Sequence, residues 1–158
     1  MSDLSSNARK IQSALSSFGL ELQVLELPDS TRTAVDAANA IGCRVDQIVK
    51  SLVFRRKNTG AAIFIVASGV NRVNEKSIEK IIGEPIEKAD ANFVRQQTGF
   101  PIGGVPPLGH ACVMETFIDR DLMQFESLWA AAGTPNAVFQ LSPADLVKIT
   151  GGKIITIT

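Results

Sequence analysis

Hydrophobic residues recur along this chain with two different periods, which divide it into short helices and strands. Spacings of three and four residues predict helices at about 5–18, 34–41, 75–82, 91–97, 125–132 and 143–150. Alternating or continuous apolar runs predict strands at about 20–27, 47–54, 61–67, 85–89, 111–118, 137–141 and 154–157. This mixed order of about seven strands and five or six short helices favours an α+β fold over a regular doubly wound sheet. We expect a curved mixed β-sheet or a barrel-like core with short surrounding helices.

Polar residues with capping side chains support several of the predicted helix starts. Thr33, Asn74 and Asp90 each precede a helical pattern. Ser142 is followed by Pro143, and this pair is a strong start signal because proline suits the first helical position. Glycines follow most of the patterns and predict where the helices end.

The segment from Gln47 to Phe54 is the most strand-like in the chain, and it contains a misplaced charge. With a period of two, Lys50 shares one face with Ile48, Leu52 and Phe54. Burying an unpaired ammonium on that apolar face would cost several kcal/mol. Two interpretations stay open: a lysine that extends along the apolar surface to reach water, or a functional lysine in a lined pocket.

Residues 100–110 form the least regular and most rigid segment of the chain. Its prolines fix φ, and its glycines permit tight turns and close backbone approach. Such a loop can present main-chain N–H groups to an oxygen atom, although a plain structural crossover has the same composition. It lacks the Gly-Lys-Ser/Thr ending of a Walker loop and the Gly-x-Gly-x-x-Gly spacing of a dinucleotide site.

Length and charge set modest bounds. A chain of 158 residues is long enough to form one domain over residues 1–158 with one core. Its 16 basic and 16 acidic residues give no net charge, so any contact with RNA has to be local, and neither DNA nor a membrane is expected as a partner. The basic residues Arg55, Arg56, Lys57 and Arg72 form either a patch or an ordinary solvated face.

The expected location is cytoplasmic. Cys43 and Cys112 are far apart in the sequence and lie in apolar surroundings, as is typical of reduced core cysteines. The polar start of the chain does not resemble a signal peptide, and no apolar run approaches the roughly 18 residues of a membrane span.

Few side chains are available for acid–base or metal chemistry. The chain has one histidine, His110, and no tyrosine, so a His-based metal site is excluded and a Ser-His-Asp triad would have to use His110. Two separated cysteines cannot complete a structural zinc site, and we expect neither a metal nor a cofactor. A lysine, backbone amides, hydroxyls and water remain.

Four segments, taken in their order and spacing, resemble the YbaK/prolyl-tRNA synthetase-associated editing domain family. They are Gln47 to Phe54, the loop from Gly103 to Gly109, Phe117 to Asp119, and Ser142 to Leu146. The resemblance implies the family's fold and its activity, hydrolysis of mischarged aminoacyl-tRNA, chiefly tRNA(Pro) carrying a small non-cognate amino acid. Because no synthetase modules accompany these segments, the chain resembles a free-standing, trans-acting member. The implied partners are mischarged tRNA and prolyl-tRNA synthetase.

The resemblance also implies roles for individual residues. Lys50 corresponds to the lysine that the family requires and is expected to hold the 3′-terminal adenosine or its phosphate. Gly103 to Pro107 corresponds to the family's Gly-x-x-x-Pro loop, whose amides, at Gly103 and Gly104, would stabilise the oxyanion by about 3 kcal/mol per donor. The same loop places Val105, Pro106 and Pro107 against the substrate. Water, helped by a ribose hydroxyl, is the expected nucleophile.

Departures from the family's patterns leave the removed amino acid open. Alanine-specific members carry an asparagine after the lysine and a histidine in a later strand, where this chain has Ser51 and the stretch from Asn136 to Phe139. Cysteine-directed members have a glutamine-like residue where His110 stands. Ser51, His110 and Asn136 are therefore candidates for lining the amino-acid pocket.

Two other functions remain possible at this point. A non-catalytic module could grip aminoacyl-tRNA or a synthetase, although it would not need both the lysine and the glycine-proline loop. A hydrolase of small esters is disfavoured because the chain lacks an evident nucleophile–base pair.

Overall fold

The computed structural model describes residues 4–158 as five α-helices and eight β-strands. The helices are α1 Ser6–Ser17, α2 Ala34–Ile41, α3 Glu75–Ile82, α4 Ala91–Thr98 and α5 Pro143–Thr150. The strands are β1 Val24–Glu26, β2 Ile48–Arg56, β3 Ala62–Ser68, β4 Ile86–Lys88, β5 Glu115–Asp119, β6 Leu128–Ala131, β7 Ala137–Leu141 and β8 Lys153–Ile155. Short 3-10 helices cover Val45–Gln47 and Arg120–Gln124. Within residues 4–158, no helix has both the length and the apolar character needed to cross a membrane.

The predicted capping residues start their helices. The side chain of Thr33 accepts a hydrogen bond from the Asp36 amide, and Asn74 and Asp90 make the equivalent bonds at α3 and α4. Ser142 caps α5 with Pro143 in the first turn. These bonds satisfy amides that have no partner inside the helix, which is why the sequence marks these starts so clearly.

All eight strands belong to one mixed sheet, which confirms the expected α+β fold. The strand order is β1-β7-β6-β2-β3-β5-β8, with β4 added on β2. The pairs β2/β6, β3/β5 and β5/β8 are parallel and the remaining pairs are antiparallel. Since β1 and β8 lie at opposite ends of this order, the sheet is open, and the barrel-like alternative does not hold.

Strand β2 has two different neighbours along one of its edges. Its start pairs with β6 at Ile48 and Val49, and its end pairs with β4 from Phe54 to Arg56. On the opposite edge β2 pairs continuously with β3 from Val49 to Arg55. The two neighbours on the first edge therefore diverge around residues 50–53 and leave a gap beside the middle of β2.

The two faces of β2 belong to different parts of the core, as its period of two predicts. Val49 and Val53 pack in the large cluster that also contains residues of α1, α5 and β7. Phe54 packs in a second cluster with Ile63 and Ile65, and Leu52 lies against it. Lys50 shares this second face.

The helix predicted at 125–132 is wrong. This region contains β6, preceded by the 3-10 helix at Arg120–Gln124. Leu128 and Ala130 are buried while Trp129 and Ala131 are partly exposed, so burial alternates as in a strand. Parallel pairing with β2 and antiparallel pairing with β7 provide long-range hydrogen bonds that the local spacing of apolar residues does not reveal.

The ends of other strands also differ from their predicted positions. The strand expected at 111–118 begins at Glu115, and Val113 before it is fully exposed. The strands expected at 20–27 and 154–157 are the shorter β1 and β8. Strand length depends on the neighbouring strand, so the apolar pattern alone sets these ends poorly.

Candidate functional site

Lys50 leaves β2 beside the gap and makes a specific contact. Its ammonium donates a hydrogen bond to the main-chain carbonyl of Asn71 at 2.5 Å. The side chain is half-buried, and this burial lowers its pKa, as does the nearby Arg72, whereas Asp119 raises it. One of the three ammonium donors is thus held by the protein, which leaves others for a ligand.

Two adjoining cavities meet at Lys50. Both are bordered by Lys50, Ser51, Leu52, Ile102, Gly103 and Val105. The middle of β2 therefore forms one side of each cavity, and the loop from Phe100 to His110 contributes to both. The gap left by the diverging strands β6 and β4 gives this site its position.

The two cavities differ in chemistry. The one on the β6 side, the apolar cavity, has a volume of about 290 Å³ and is lined by Ile41, Ile48, Trp129 and Val138 among others. The one on the β4 side, the basic cavity, has a volume of about 420 Å³. Its lining includes Arg72 and Lys88, with Glu75 as its acidic residue. A ligand with an apolar part and an anionic part fits this pair better than either cavity alone.

The glycines of the loop meet different neighbours. Gly103 has φ of 90°, which favours glycine, and a Cβ there would lie 2.4 Å from Cγ of Arg32. A Cβ on Gly104 would lie 2.7 Å from the main-chain carbon of Thr134. Gly104 is therefore required by contact between two loops.

The loop amides are also used differently. The Gly104 N–H donates to Pro101 at 3.0 Å, and the Gly104 carbonyl accepts from Gly133 at 2.9 Å. Within residues 4–158, the N–H groups of Gly103 and Val105 have no protein acceptor. Of the loop residues expected to act through their backbone, Gly103 thus keeps a free donor at the cavities, and Gly104 does not.

His110 contacts the loop but does not line the cavities. Its Nε2 lies 2.6 Å from the Pro106 carbonyl, and its ring meets Phe64 edge-on with the ring centroids 4.5 Å apart. Burial lowers the pKa of His110, and the bond to Pro106 opposes this shift. Pro106 and Pro107 are buried, and neither they nor His110 line either cavity.

Asn136 also lies away from the cavities. Its side-chain amide donates to the Asp29 carbonyl at 3.1 Å, and its own carbonyl accepts from Leu27. These bonds join the segment after β1 to the start of β7. The β6–β7 region contributes Trp129, Ala131 and Val138 to the apolar cavity instead.

Ser51 is the predicted pocket residue that the structure does bring to the site. It borders both cavities, and within the described part of the chain its buried Oγ has no hydrogen-bond partner. The hydroxyls of Thr31 and Thr33, which also line the apolar cavity, are engaged with Pro135 and Asp36. Ser51 therefore has a buried hydroxyl without a protein partner at the border of this cavity.

Several site residues were missed from the sequence. The residues missed border the cavities but come from separate segments of the chain: Thr31, Arg32, Asn71, Ile102 and Trp129. Trp129 was assigned to a helix, and only its pairing beside β2 brings it to the apolar cavity. Asn71 follows a predicted strand end, but no sequence pattern links its carbonyl to Lys50. Across residues 4–158, no group of three His, Cys, Asp or Glu side chains could hold a metal ion.

Comparison with known proteins agrees with the resemblance found in the sequence. Residues 28–149 match the family described as aminoacyl-tRNA editing domain. The uncharacterized protein YwhH of Bacillus subtilis is 31% identical over 146 residues, which cover 92% of both chains. The candidate Cys-tRNA(Pro)/Cys-tRNA(Cys) deacylase EbsC of Enterococcus faecalis is 24% identical, with 80% of this chain and 77% of EbsC covered. The crystal structure of a candidate trans-editing enzyme for prolyl tRNA synthetase has a TM-score of 0.92 and 43% identity, with 99% of both chains covered.

Proposed function

The chain belongs to the family of aminoacyl-tRNA editing domains, and from this premise we propose that it is a trans-acting deacylase that hydrolyses the ester of mischarged aminoacyl-tRNA. The observation that carries the proposal is the position of the Lys50 ammonium, where an apolar and a basic cavity meet beside the free amides of Gly103 and Val105. The charged 3′ end of a tRNA has the matching order of parts: an amino-acid side chain, an ester, and the terminal adenosine with its 5′-phosphate. The trans-acting arrangement is supported by relatives matched over nearly their whole length.

The two cavities suggest how the substrate lies. The apolar cavity takes the amino-acid side chain, and the basic cavity takes the terminal adenosine, with Arg72 and Lys88 near its phosphate. Lys50 then contacts the adenosine end as a compact cation with donors to spare. The scissile ester lies between the cavities, next to Gly103 and Val105.

Hydrolysis needs no covalent enzyme intermediate in this arrangement. Water adds to the ester carbonyl carbon, and the resulting oxyanion accepts from the amides of Gly103 and Val105, each worth about 3 kcal/mol by analogy with other oxyanion donors. The bond from that carbon to the ribose oxygen then breaks, and the ribose oxygen takes up the proton that the attacking water has lost. The products are the free amino acid and tRNA with a free terminal hydroxyl. Assigning the second donor to Val105 instead of Gly104 follows from the Gly104 N–H being bound to Pro101.

The lining favours small, apolar side chains. Ile41, Ile48, Trp129 and Val138 offer apolar contacts, and the two charged residues at the border, Arg32 and Lys50, disfavour a basic side chain. The free Ser51 hydroxyl can bind one polar atom of the amino acid. The names of the related proteins point to tRNA(Pro) as the carrier and to prolyl-tRNA synthetase as the enzyme whose errors are corrected. We adopt both as part of the proposal, with the cytoplasm as the place where it acts.

A deacylation panel tests this function. Wild-type protein is incubated with tRNA(Pro) charged with alanine, cysteine, serine, threonine or 2-aminobutyrate, with correctly charged prolyl-tRNA(Pro) as the comparison. We expect selective hydrolysis of at least one mischarged species, and a loss of about 100-fold or more in kcat/KM for Lys50→Ala, or about 2.7 kcal/mol. Lys57→Ala, on the exposed β2–β3 turn, is the matched control and should retain full activity.

Two results would contradict the proposal. Binding of mischarged tRNA without any release of amino acid would favour the non-catalytic module. Full activity in a correctly folded Lys50→Ala protein would show that the cavities are not the site of hydrolysis.

A further inference from the structure

We propose that Asp119 and Asn71 are positioning residues that hold the Lys50 ammonium where it meets the substrate, an inference that rests on the proposed function. Asn71 contributes its main-chain carbonyl, which accepts from Lys50 at 2.5 Å. Asp119 lies at the end of β5 and holds the turn from which that carbonyl projects. Neither residue is required to touch the ester or the water.

The turn that follows β3 is fixed by one buried carboxylate. Asp119 is 2% exposed, and its Oδ2 accepts from both the Ser68 amide and the Asn71 side-chain amide at 2.9 Å. Its Oδ1 accepts from the Asp121 amide at 2.9 Å. A buried carboxylate with three N–H partners is well satisfied, so its geometry is stiff. The Asn71 side chain is also bound by Asp121 at 2.8 Å.

Packing restricts the same turn from its other side. A Cβ on Gly69 would lie 2.3 Å from the Val45 carbonyl, so the backbone is in close contact there. The Gly69 amide donates to Ile48 at 2.8 Å, and the Asn71 amide donates to Ser68 at 2.9 Å. These contacts restrict the position of the Asn71 carbonyl. The hydrogen bond therefore determines where the Lys50 ammonium lies.

Charge supports the same assignment. Burial and Arg72 both disfavour the ionised form of Lys50, and Asp119 favours it by raising the pKa of that ammonium. Asp119 therefore acts on Lys50 in two ways: it fixes the turn that binds the ammonium, and it favours the protonated form of the side chain.

The first experiment measures coupling between these residues and Lys50. The probe is a minihelix that carries the acceptor end of tRNA(Pro), with alanine joined through a non-hydrolysable amide. The Kd of this probe is measured for Asn71→Ala and for Asp119→Asn, each in the wild-type protein and in the Lys50→Ala protein. We expect each change to weaken binding about tenfold with Lys50 present and to have no further effect in Lys50→Ala. On the charged substrate, KM should rise more than kcat falls.

Ser142→Ala is the control for general loss of stability, because it removes the cap of α5 away from both cavities. It should lower thermal stability and leave Kd unchanged. Equal losses for Asn71→Ala in both backgrounds would overturn the proposal, as would wild-type Kd for Asn71→Ala and Asp119→Asn.

A second measurement does not depend on the proposed function. The ¹⁵N resonance of the Lys50 ammonium is followed by NMR as the pH is raised, without any substrate. Asp119→Asn should lower the pKa of Lys50, and Asn71→Ala should speed exchange of the ammonium protons with water, whereas Ser142→Ala should change neither. If these shifts occur in a protein that fails the deacylation panel, the proposed function is wrong and the positioning of Lys50 stands. If they do not occur, the positioning proposal is wrong whatever the panel shows.

Discussion

Lys50 is half-buried among apolar neighbours, and its burial lowers its pKa below the ordinary lysine value of 10.5. The protonated side chain is therefore less favourable in the folded chain than in the unfolded chain. Ser51, the next residue, buries a hydroxyl without a partner. Lys50 and Ser51 thus both lower the stability of the folded chain, and residues that do so beside a cavity are typical of binding sites.

The first prediction follows from the pKa of Lys50. Below its folded pKa the cost of holding the ammonium is fully present, and it is relieved as the pH rises from that value towards 10.5, because the unfolded chain then binds more protons. Lys50→Met should consequently be inactive and yet at least as stable as wild type near pH 7, with its advantage shrinking at alkaline pH. Thermal unfolding from pH 7 to 10 measures this, and Lys57→Met is the exposed control. A difference in stability between Lys50→Met and wild type that does not change from pH 7 to 10 would contradict the pKa direction.

The second prediction concerns the free hydroxyl of Ser51. Ser51→Ala removes a buried polar atom without a partner, so stability should be unchanged or higher by about 1 kcal/mol. If this hydroxyl binds the amino acid, the ratio of activities on serine- and alanine-charged tRNA(Pro) should change several-fold. Urea unfolding and the two deacylation rates measure both effects. An unchanged ratio would remove Ser51 from the amino-acid pocket.

At the scale of elements, the loop from Phe100 to His110 acts as a rigid partner of β2. Gly104 lies close to the Thr134 backbone, and His110, which lines neither cavity, binds the Pro106 carbonyl. These contacts fix where Gly103 and Val105 lie relative to Lys50. The loop is therefore positioned by packing, and its glycines serve different purposes.

The third prediction separates these purposes. Gly104→Ala places a Cβ within 3.0 Å of three Thr134 backbone atoms, so one of the two loops has to move. We expect a loss of about 1–3 kcal/mol in stability and at least a tenfold loss of deacylation. Gly83→Ala is the control, because its φ of 83° is unfavourable for alanine, so stability falls through the backbone alone: no atom lies within 4 Å of the added Cβ, and Gly83 does not line the cavities. It should lose about 1–2 kcal/mol and retain activity.

Chemical denaturation and single-turnover deacylation distinguish the two variants. If Gly104→Ala and Gly83→Ala lose activity equally, the loop position has no special role in hydrolysis. If Gly104→Ala is as stable and active as wild type, the contact with Thr134 does not restrict the loop.

Across the whole molecule, the net charge is zero, and positive side chains border the basic cavity. The chain has no net charge, so no long-range field draws it to nucleic acid. Arg72 and Lys88 border the basic cavity together with Lys50, and Arg32 lies against Gly103. Arg56, from the predicted basic patch, is paired with Glu84 and Glu115, so that patch is partly neutralised.

The fourth prediction is weak, salt-dependent binding of tRNA. With about three phosphate contacts from Lys50, Arg72 and Lys88, the slope of log K against log salt should be about −2 for a single-stranded end. Arg72→Ala should make the slope shallower by about 0.7, whereas Lys57→Ala should not change it. Filter binding of tRNA(Pro) at several salt concentrations measures this. Tight binding that does not respond to salt would show that contacts outside the basic cavity dominate.

The sequence by itself determined the features that depend on neighbours along the chain. The period of two in β2 and the helix caps at Thr33, Asn74, Asp90 and Ser142 are local features, and the structure has them as predicted. The misplaced charge of Lys50 was visible for the same reason. Its interpretation as a lysine beside a lined cavity required the fold.

Only the tertiary structure decided the features that depend on distant segments. The region at 128–131 became a strand because β2 and β7 offer it hydrogen bonds, and this brings Trp129 to the apolar cavity. The Gly104 amide is bound inside its own loop, and the Asn71 carbonyl reaches Lys50 across 21 residues. The free energy from local helix or strand propensity is small compared with that from strand pairing and packing. The local pattern of one sequence therefore does not identify which distant residues come into contact.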